Sequence, residues 1–234
     1  TDVNMAVAAP TGSGKTVLHE LAILRFLRGQ EREDQQQPYD DDDKDVDDDD
    51  DDDDDDNNKS SKSKTSQVKS KVIFIAPTKA LCQQRLKDWQ KFQDLYGLRI
   101  VEVTGDSSPV DALKELSNAS IIITTPEKWD SITRQWHQHI YLLGKVSLML
   151  LDEIHNLGES RGACLEAVVM RTQHFINAYR EKIHESGNNA GKAPPPLRIV
   201  ALSATLPNHE DVATFLRVRP ETGLLVFGPE HRPV

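Results

Sequence analysis

The sequence predicts an α/β domain built on a doubly wound, mostly parallel sheet with helices on both faces. Three observations point to it. Seven short apolar runs are spread along the chain, stretches of helical periodicity separate them, and a Gly-rich loop joins the first run to the first helix. Continuous apolar character, rather than strict alternation, is what strands covered on both faces require. A length of 234 residues suits one large domain.

The first run, "VNMAVAAP", reads as a strand leading into the loop, and Lys15 to Arg28 as the helix after it. Strand "KVIFIAP" (71 to 77) is followed by a helix from Lys79 to Leu95. "LRIVEVTG" (98 to 105) and "SIIITTP" (120 to 126) are the next strands, the second running into a helix from Glu127 to Trp136. "VSLMLLDE" (146 to 153) precedes a helix from Cys164 to Arg180 and an exposed Pro-rich connection, "GNNAGKAPPPL". "RIVALSAT" (198 to 205), a helix from His209 to Arg217 and "GLLVF" (223 to 227) complete the series. Strand, helix, strand repetition is the signature of a doubly wound sheet.

Residues from about 29 to 70 break that rhythm. Gln and Glu give way to the Asp40 to Asp56 segment, with fifteen Asp and one Lys, and then to "NNKSSKSKTSQVKSK". Such composition buries too little apolar area to offset ordering entropy, so a disordered, solvated insertion is expected. The segment also distorts the charge. The net value is −10, but without Asp40 to Asp56 the remainder carries about +4, which leaves a polyanionic partner admissible.

Cys82 and Cys164 are the only cysteines, with no CxxC and no zinc spacing, and are expected to be reduced thiols. No stretch approaches the roughly 20 apolar residues that span a bilayer. The chain opens directly on the first strand without an initiating Met, as a fragment would.

"APTGSGKT" (Ala9 to Thr16) carries the first chemistry. Backbone amides from Gly12 to Lys15 would cradle phosphate oxygens at a helix N-terminus, with Pro10, Thr11 and Ser13 completing the loop. Lys15 would supply a point charge for the β and γ phosphates, and Thr16 a hydroxyl for Mg2+. A Gly-rich turn that binds nothing has no need of Lys and Thr at those two places.

Asp152 and Glu153 follow the fifth apolar run, at the sheet edge where ligands bind in open α/β folds. Asp152 suits holding the metal, and Glu153 suits activating the attacking water. His155 lacks HExxH spacing, so a polar contact between motifs is expected rather than zinc.

Three more segments, "APTKALCQQRLKDW" (76 to 89), "TTPEKWD" (124 to 130) and "ALSATLPN" (201 to 208), stand in order with "APTGSGKT" and "DEIH". Together they resemble the first-half motifs of superfamily 2 helicases. "DEIHNLGESRGACLEAVVMR" and the terminal "FGPEHRPV" resemble the large processive branch that includes archaeal repair, spliceosomal and meiotic crossover helicases. "RGACLEAVVMR" looks most like the meiotic Mer/Hfm type.

The resemblance implies a first RecA-like domain over residues 1 to 234 that uses ATP and Mg2+, in a nuclear 3′ to 5′ DNA helicase of meiotic recombination. Its partners would be single-stranded or branched nucleic acid and a second RecA-like domain. It implies backbone contacts to nucleic acid from Pro77, Thr78, Lys79, Gly105, Asp106, Thr125, Pro126 and Glu127. Ser203, Ala204 and Thr205, with His155, would couple hydrolysis to strand separation. The residues themselves allow plainer roles: Thr125 and Pro126 suit a helix start, and Trp89 and Trp129 suit the core better than base stacking. An RNA helicase of the same branch and a nucleotide-dependent scaffold are the alternatives. The acidic insertion departs from the family's compact spacing, and without second-domain arginines the chain alone should hydrolyse little ATP.

Overall fold

The computed structural model describes residues 3–35, 70–105, 109–158, 162–185, 195–206 and 208–231. In chain order the elements are β1 (Met5–Ala8), α1 (Thr16–Gln35), β2 (Lys71–Ile75), α2 (Lys79–Tyr96), β3 (Ile100–Val103), α3 (Pro109–Asn118), β4 (Ile121–Thr124) and α4 (Pro126–Thr133). They continue with α5 (Ile140–Leu143), β5 (Val146–Leu151), α6 (Gly162–Glu185), β6 (Arg198–Ser203), α7 (His209–Phe215), α8 (Pro220–Gly223) and β7 (Leu224–Val226). Short 3-10 turns cover Trp136–His139, Ile154–Gly158 and Pro229–His231.

The seven strands form one sheet in the order β3-β4-β2-β5-β6-β1-β7, with every pair parallel. All seven expected strands are present. The central strands β2, β4 and β5 are buried along their whole length, which explains their unbroken apolar text. Alternate residues divide between two cores. Val72, Phe74, Ile121, Ile123, Leu148 and Leu150 pack with Ala22 and Ile23 of α1 and with Cys82, Trp89 and Phe92 of α2. Ile73, Ile75, Ile122, Met149 and Leu151 pack with Leu116 of α3, Trp129 and Ile132 of α4, and Val168, Val169 and Phe175 of α6. That split is the doubly wound arrangement. Trp89 and Trp129 are fully buried, as core residues. Both cysteines are free thiols.

The helices depart from the sequence expectation in several places, and α6, for one, runs from Gly162 to Glu185 where the sequence predicts Cys164 to Arg180. The insertion does not begin at 29, because α1 continues through Gln35. "GQEREDQ" is rich in Gln, Glu and Arg, which favour helix enough to carry it past Gly29. Residues 36 to 69, which hold the acidic and Ser/Lys segments, lie outside the described residues. Helix α3 occupies what the sequence reading leaves as a connection, burying Ala112 and Leu116 one turn apart. The helix from Glu127 ends at Thr133, not Trp136, with a 3-10 turn and the short α5 taking over.

Lys71 opens β2 in a buried position, with Nζ donating to the carbonyls of Leu116, Ser117 and Ala119 at 3.0, 3.0 and 2.6 Å. It thereby satisfies carbonyls at the end of α3, where a cation also faces the negative end of the helix.

Candidate nucleotide and nucleic-acid site

Because every strand runs the same way, the loops after β1, β2, β3, β4, β5 and β6 share one edge of the sheet. Among the described residues, the candidate site residues lie on these loops or beside them.

The β1–α1 loop is bent by Gly12 and Gly14, at φ +87° and +81°, which L side chains rarely adopt. Lys15 folds back over the loop, Nζ donating to the carbonyls of Ala9 at 2.6 Å and Pro10 at 2.9 Å. The Ser13 hydroxyl is buried without a partner. Thr16 begins α1, and its hydroxyl accepts from Arg85 at 3.5 Å.

After β5, the Asp152 amide donates to Ile75 at 3.0 Å, and Asp152 Oδ1 accepts from the Glu153 amide at 3.1 Å. Burial, then the neighbouring Glu153 charge, raises the Asp152 pKa above the ordinary carboxylate range, with Arg85 and Lys15 opposing the rise. Glu153 has φ +52°, an uncommon conformation for a residue other than glycine. Its Oε2 is buried with no hydrogen-bond partner, 3.3 Å from His155 Nδ1 but without the alignment of a bond.

His155 reaches across to β6, Nδ1 lying 3.3 Å from the Ser203 hydroxyl. Ser203 donates its single proton to the Thr205 carbonyl, so its oxygen is left to accept, and the proton belongs on His155 Nδ1. The Ser203 carbonyl in turn accepts from the Ala9 amide at 3.0 Å. The phosphate loop, the acidic turn and the "SAT" segment are therefore joined through Ser203. Ala204 is half-buried and Thr205 exposed beside it.

Next along the edge, Pro77 is half-buried while Thr78 and Lys79 are exposed, and Thr78 caps α2 by accepting from the Leu81 amide at 3.3 Å. Gly105 is exposed at the end of β3, with Lys79 Nζ 3.6 Å from where its Cβ would stand. Thr125 and Pro126 are buried at the start of α4, where Thr125 accepts from the Lys128 amide at 3.5 Å, and Glu127 is exposed. Thr125 therefore serves as a helix cap. Asp106 lies outside the described residues.

Two residues that the sequence reading passed over complete the site. Arg85 is buried on α2, with its guanidinium over the rings of Phe74 and Trp89 at 5.7 and 5.6 Å and bonded to Asp88 at 3.2 Å. His19, one turn into α1, is buried edge-on to Phe74. Burial, then the Arg85 charge, lowers its pKa to about 3. A signal was available: Cys82, Arg85, Trp89 and Phe92 fall on one helical face, so Arg85 interrupts an apolar stripe.

Among the described residues no cluster of three His, Cys, Asp or Glu side chains could hold a metal alone. The residues present do fit an ion shared with a phosphate ligand. The orphaned Ser13 hydroxyl and Glu153 Oε2 lack partners that phosphate and water would supply, and no atom lies within 4 Å of where a Cβ would stand on Gly12 or Gly14.

Residues 1–212 match the family model described as DEAD/DEAH box helicase. The mouse protein named "Probable ATP-dependent DNA helicase HFM1" is 39% identical over 237 residues, taking in all of this chain and 14% of its own length. The fission yeast "Pre-mRNA-splicing factor brr2" is 36% identical over 233 residues, covering 100% of this chain and 9% of its own. The chain thus spans about a tenth of each. Among solved structures, helicase MrfA bound to DNA and AMPPNP superimposes with a TM-score of 0.62 at 19% identity, covering 97% of this chain and 25% of that one.

Proposed function

Because the chain belongs to the DEAD/DEAH box helicase family, we propose that it is the ATP-binding RecA-like domain of a nuclear DNA helicase of meiotic recombination. It binds ATP on Pro10, Thr11, Gly12, Ser13, Gly14, Lys15 and Thr16 and couples hydrolysis to 3′ to 5′ movement along single-stranded or branched DNA. A second RecA-like domain completes the site. The observation that carries this reading is the Ala9–Ser203–His155 chain of hydrogen bonds, which brings the phosphate loop beside Glu153, whose buried Oε2 lies 3.3 Å from His155 Nδ1 without a hydrogen bond.

Lys15 exchanges its bonds to Ala9 and Pro10 for the β and γ phosphates. Glu153 Oε2, lacking a partner, accepts the proton of the attacking water. Thr16 and Asp152 would hold Mg2+, which neutralises phosphate charge when bound. His155 holds Ser203, and through it the phosphate loop, in register with Glu153. Pro77, Thr78, Lys79, Gly105, Asp106 and the turn from Thr125 to Glu127 follow the nucleic-acid backbone without reading bases.

The name of the mouse relative supports DNA as the substrate. That of the fission yeast relative favours the second reading, an RNA helicase of the same branch. Stimulation of ATP hydrolysis by the full-length protein separates them, measured with DNA and RNA strands of one sequence. Stimulation by DNA, with displacement only from 3′-tailed duplexes, is expected. Stimulation by RNA alone would overturn the DNA assignment.

A further inference from the structure

We infer that Arg85 is a positioning residue that serves as the built-in counter-charge of the nucleotide site, holding the Thr16 hydroxyl and opposing a divalent cation for that place. The inference rests on the nucleotide-site reading given above.

Arg85 is an unusual residue to find where it is. Its side chain is 7% exposed, and Asp88, its ion-pair partner, is 45% exposed, so that pair alone is a weak reason to bury a guanidinium. The rings of Phe74 and Trp89 hold its faces. Its Nε has no partner, so the hydrogen bonding is incomplete on one edge. The other edge is aimed at Thr16, with NH2 3.5 Å from Oγ1. A planar, permanently charged group fixed by two rings cannot move far from Thr16 without leaving its sandwich.

A Thr16 oxygen that accepts from Arg85 is the oxygen assigned to the metal. A magnesium–oxygen bond is about 2.1 Å long. A guanidinium nitrogen 3.5 Å from that oxygen therefore lies within roughly 6 Å of any ion the hydroxyl binds. Charges of +1 and +2 at that range repel by about tenfold in binding constant even at the dielectric constant of water. Arg85 thus orders Thr16 and offsets the Asp152 charge in the absence of nucleotide, and lowers the advantage that Mg2+ brings to nucleotide binding. Arg85 being merely a packed core cation predicts no such effect.

The test measures the dissociation constant of a fluorescent, non-hydrolysable ATP analogue on the 234-residue chain, in EDTA and in saturating Mg2+. The ratio of the two constants is the benefit of the metal. Arg85→Met keeps the linear stem between the rings and removes the charge, and should raise the ratio about tenfold. Arg85→Lys retains the charge and should stay within about twofold of the parent chain. A damaged fold weakens binding in both buffers and does not enhance the response to metal. An unchanged or lower ratio in Arg85→Met overturns the inference. If that variant does not fold, Asp88→Asn serves instead, since Asp88 is half-exposed. Freeing the Arg85 charge from Asp88 should lower the ratio about twofold to threefold, and no decrease overturns the inference. Lys15→Ala is the control for the site: if it leaves affinity unchanged in both buffers, the nucleotide-site reading fails, whatever Arg85 does.

Discussion

The Arg171 guanidinium donates to Asp130 Oδ1 across 2.6 Å, fastening α6 to the end of the "TTPEKWD" segment. Arg134 takes the other carboxylate oxygen, and one residue back Trp129 Nε1 donates to Thr172 at 3.0 Å. Burial works to raise the Asp130 pKa, but hydrogen bonds from Arg171 and then Arg134 outweigh it and hold the group below the ordinary range. Helix α6 packs against the turn that follows the acidic pair, and a methyl on Gly162 would overlap the Leu157 carbonyl. The turn carrying Glu153 and the helix carrying Glu127 are thus packed against one common element.

Removing Arg171 leaves the Asp130 carboxylate with Arg134 as its remaining charged partner and its Oδ1 without the Arg171 bond. Arg171→Met should lower stability by about 1–3 kcal/mol in urea unfolding. Combined with Asp130→Asn, the loss should fall short of the sum of the single losses by about 1 kcal/mol. Strict additivity would show that the two side chains are not coupled.

Glu153→Gln keeps the size and the half-buried position of the side chain while removing its capacity to take a proton. In the full-length protein the ATP hydrolysis rate should fall by about 10²–10⁴-fold, with affinity for a non-hydrolysable analogue preserved. An unchanged rate would favour the scaffold alternative over an enzyme. The left-handed backbone at Glu153 gives a second check, since Glu153→Gly should relax it without restoring hydrolysis.

The strands and the nucleotide loop were legible because their signals are local: unbroken apolar text for strands buried on both faces, and glycines with Lys15 and Thr16 for the loop. Arg85 and His19 were not. His19 looks like an ordinary polar residue on an amphipathic helix, and Phe74, contributed by a strand, makes its position interior; Arg85 interrupts the apolar stripe of α2, but its packing on Phe74 depends on that same distant strand. Helix α3 was missed because its buried stripe is short, and α1 was cut early because Gly29 was read as an end. The positive φ of Glu153 leaves no trace in sequence at all. The burial of Thr125 follows from a cap that the sequence did suggest.

His19 makes stability depend on pH. Its folded pKa is lowered to about 3 from an ordinary value of 6.5, chiefly by burial and then by Arg85. Below pH 6.5 the unfolded chain takes up a proton that the folded chain refuses, so stability falls as pH falls. Between pH 6.5 and 5 the slope should approach about 1.4 kcal/mol per unit at the acid end. His19→Leu should flatten that limb in urea titrations at each pH, and an equally steep limb in the variant would mean that another group controls it.

Lys79 is exposed beside Gly105 at the edge assigned to nucleic acid, and a phosphate contact there has a signature that distinguishes it from base recognition. Each phosphate neutralised on a single strand contributes about 0.7 to the slope of log affinity against log salt. Lys79→Ala in the full-length protein should therefore weaken DNA binding to a similar degree on every sequence and reduce that slope by about 0.7. Fluorescence anisotropy with two unrelated oligonucleotides at several salt concentrations measures both quantities. A loss confined to one sequence, or an unaltered salt slope, would remove Lys79 from the backbone contacts and leave Thr78 to its role as the cap of α2.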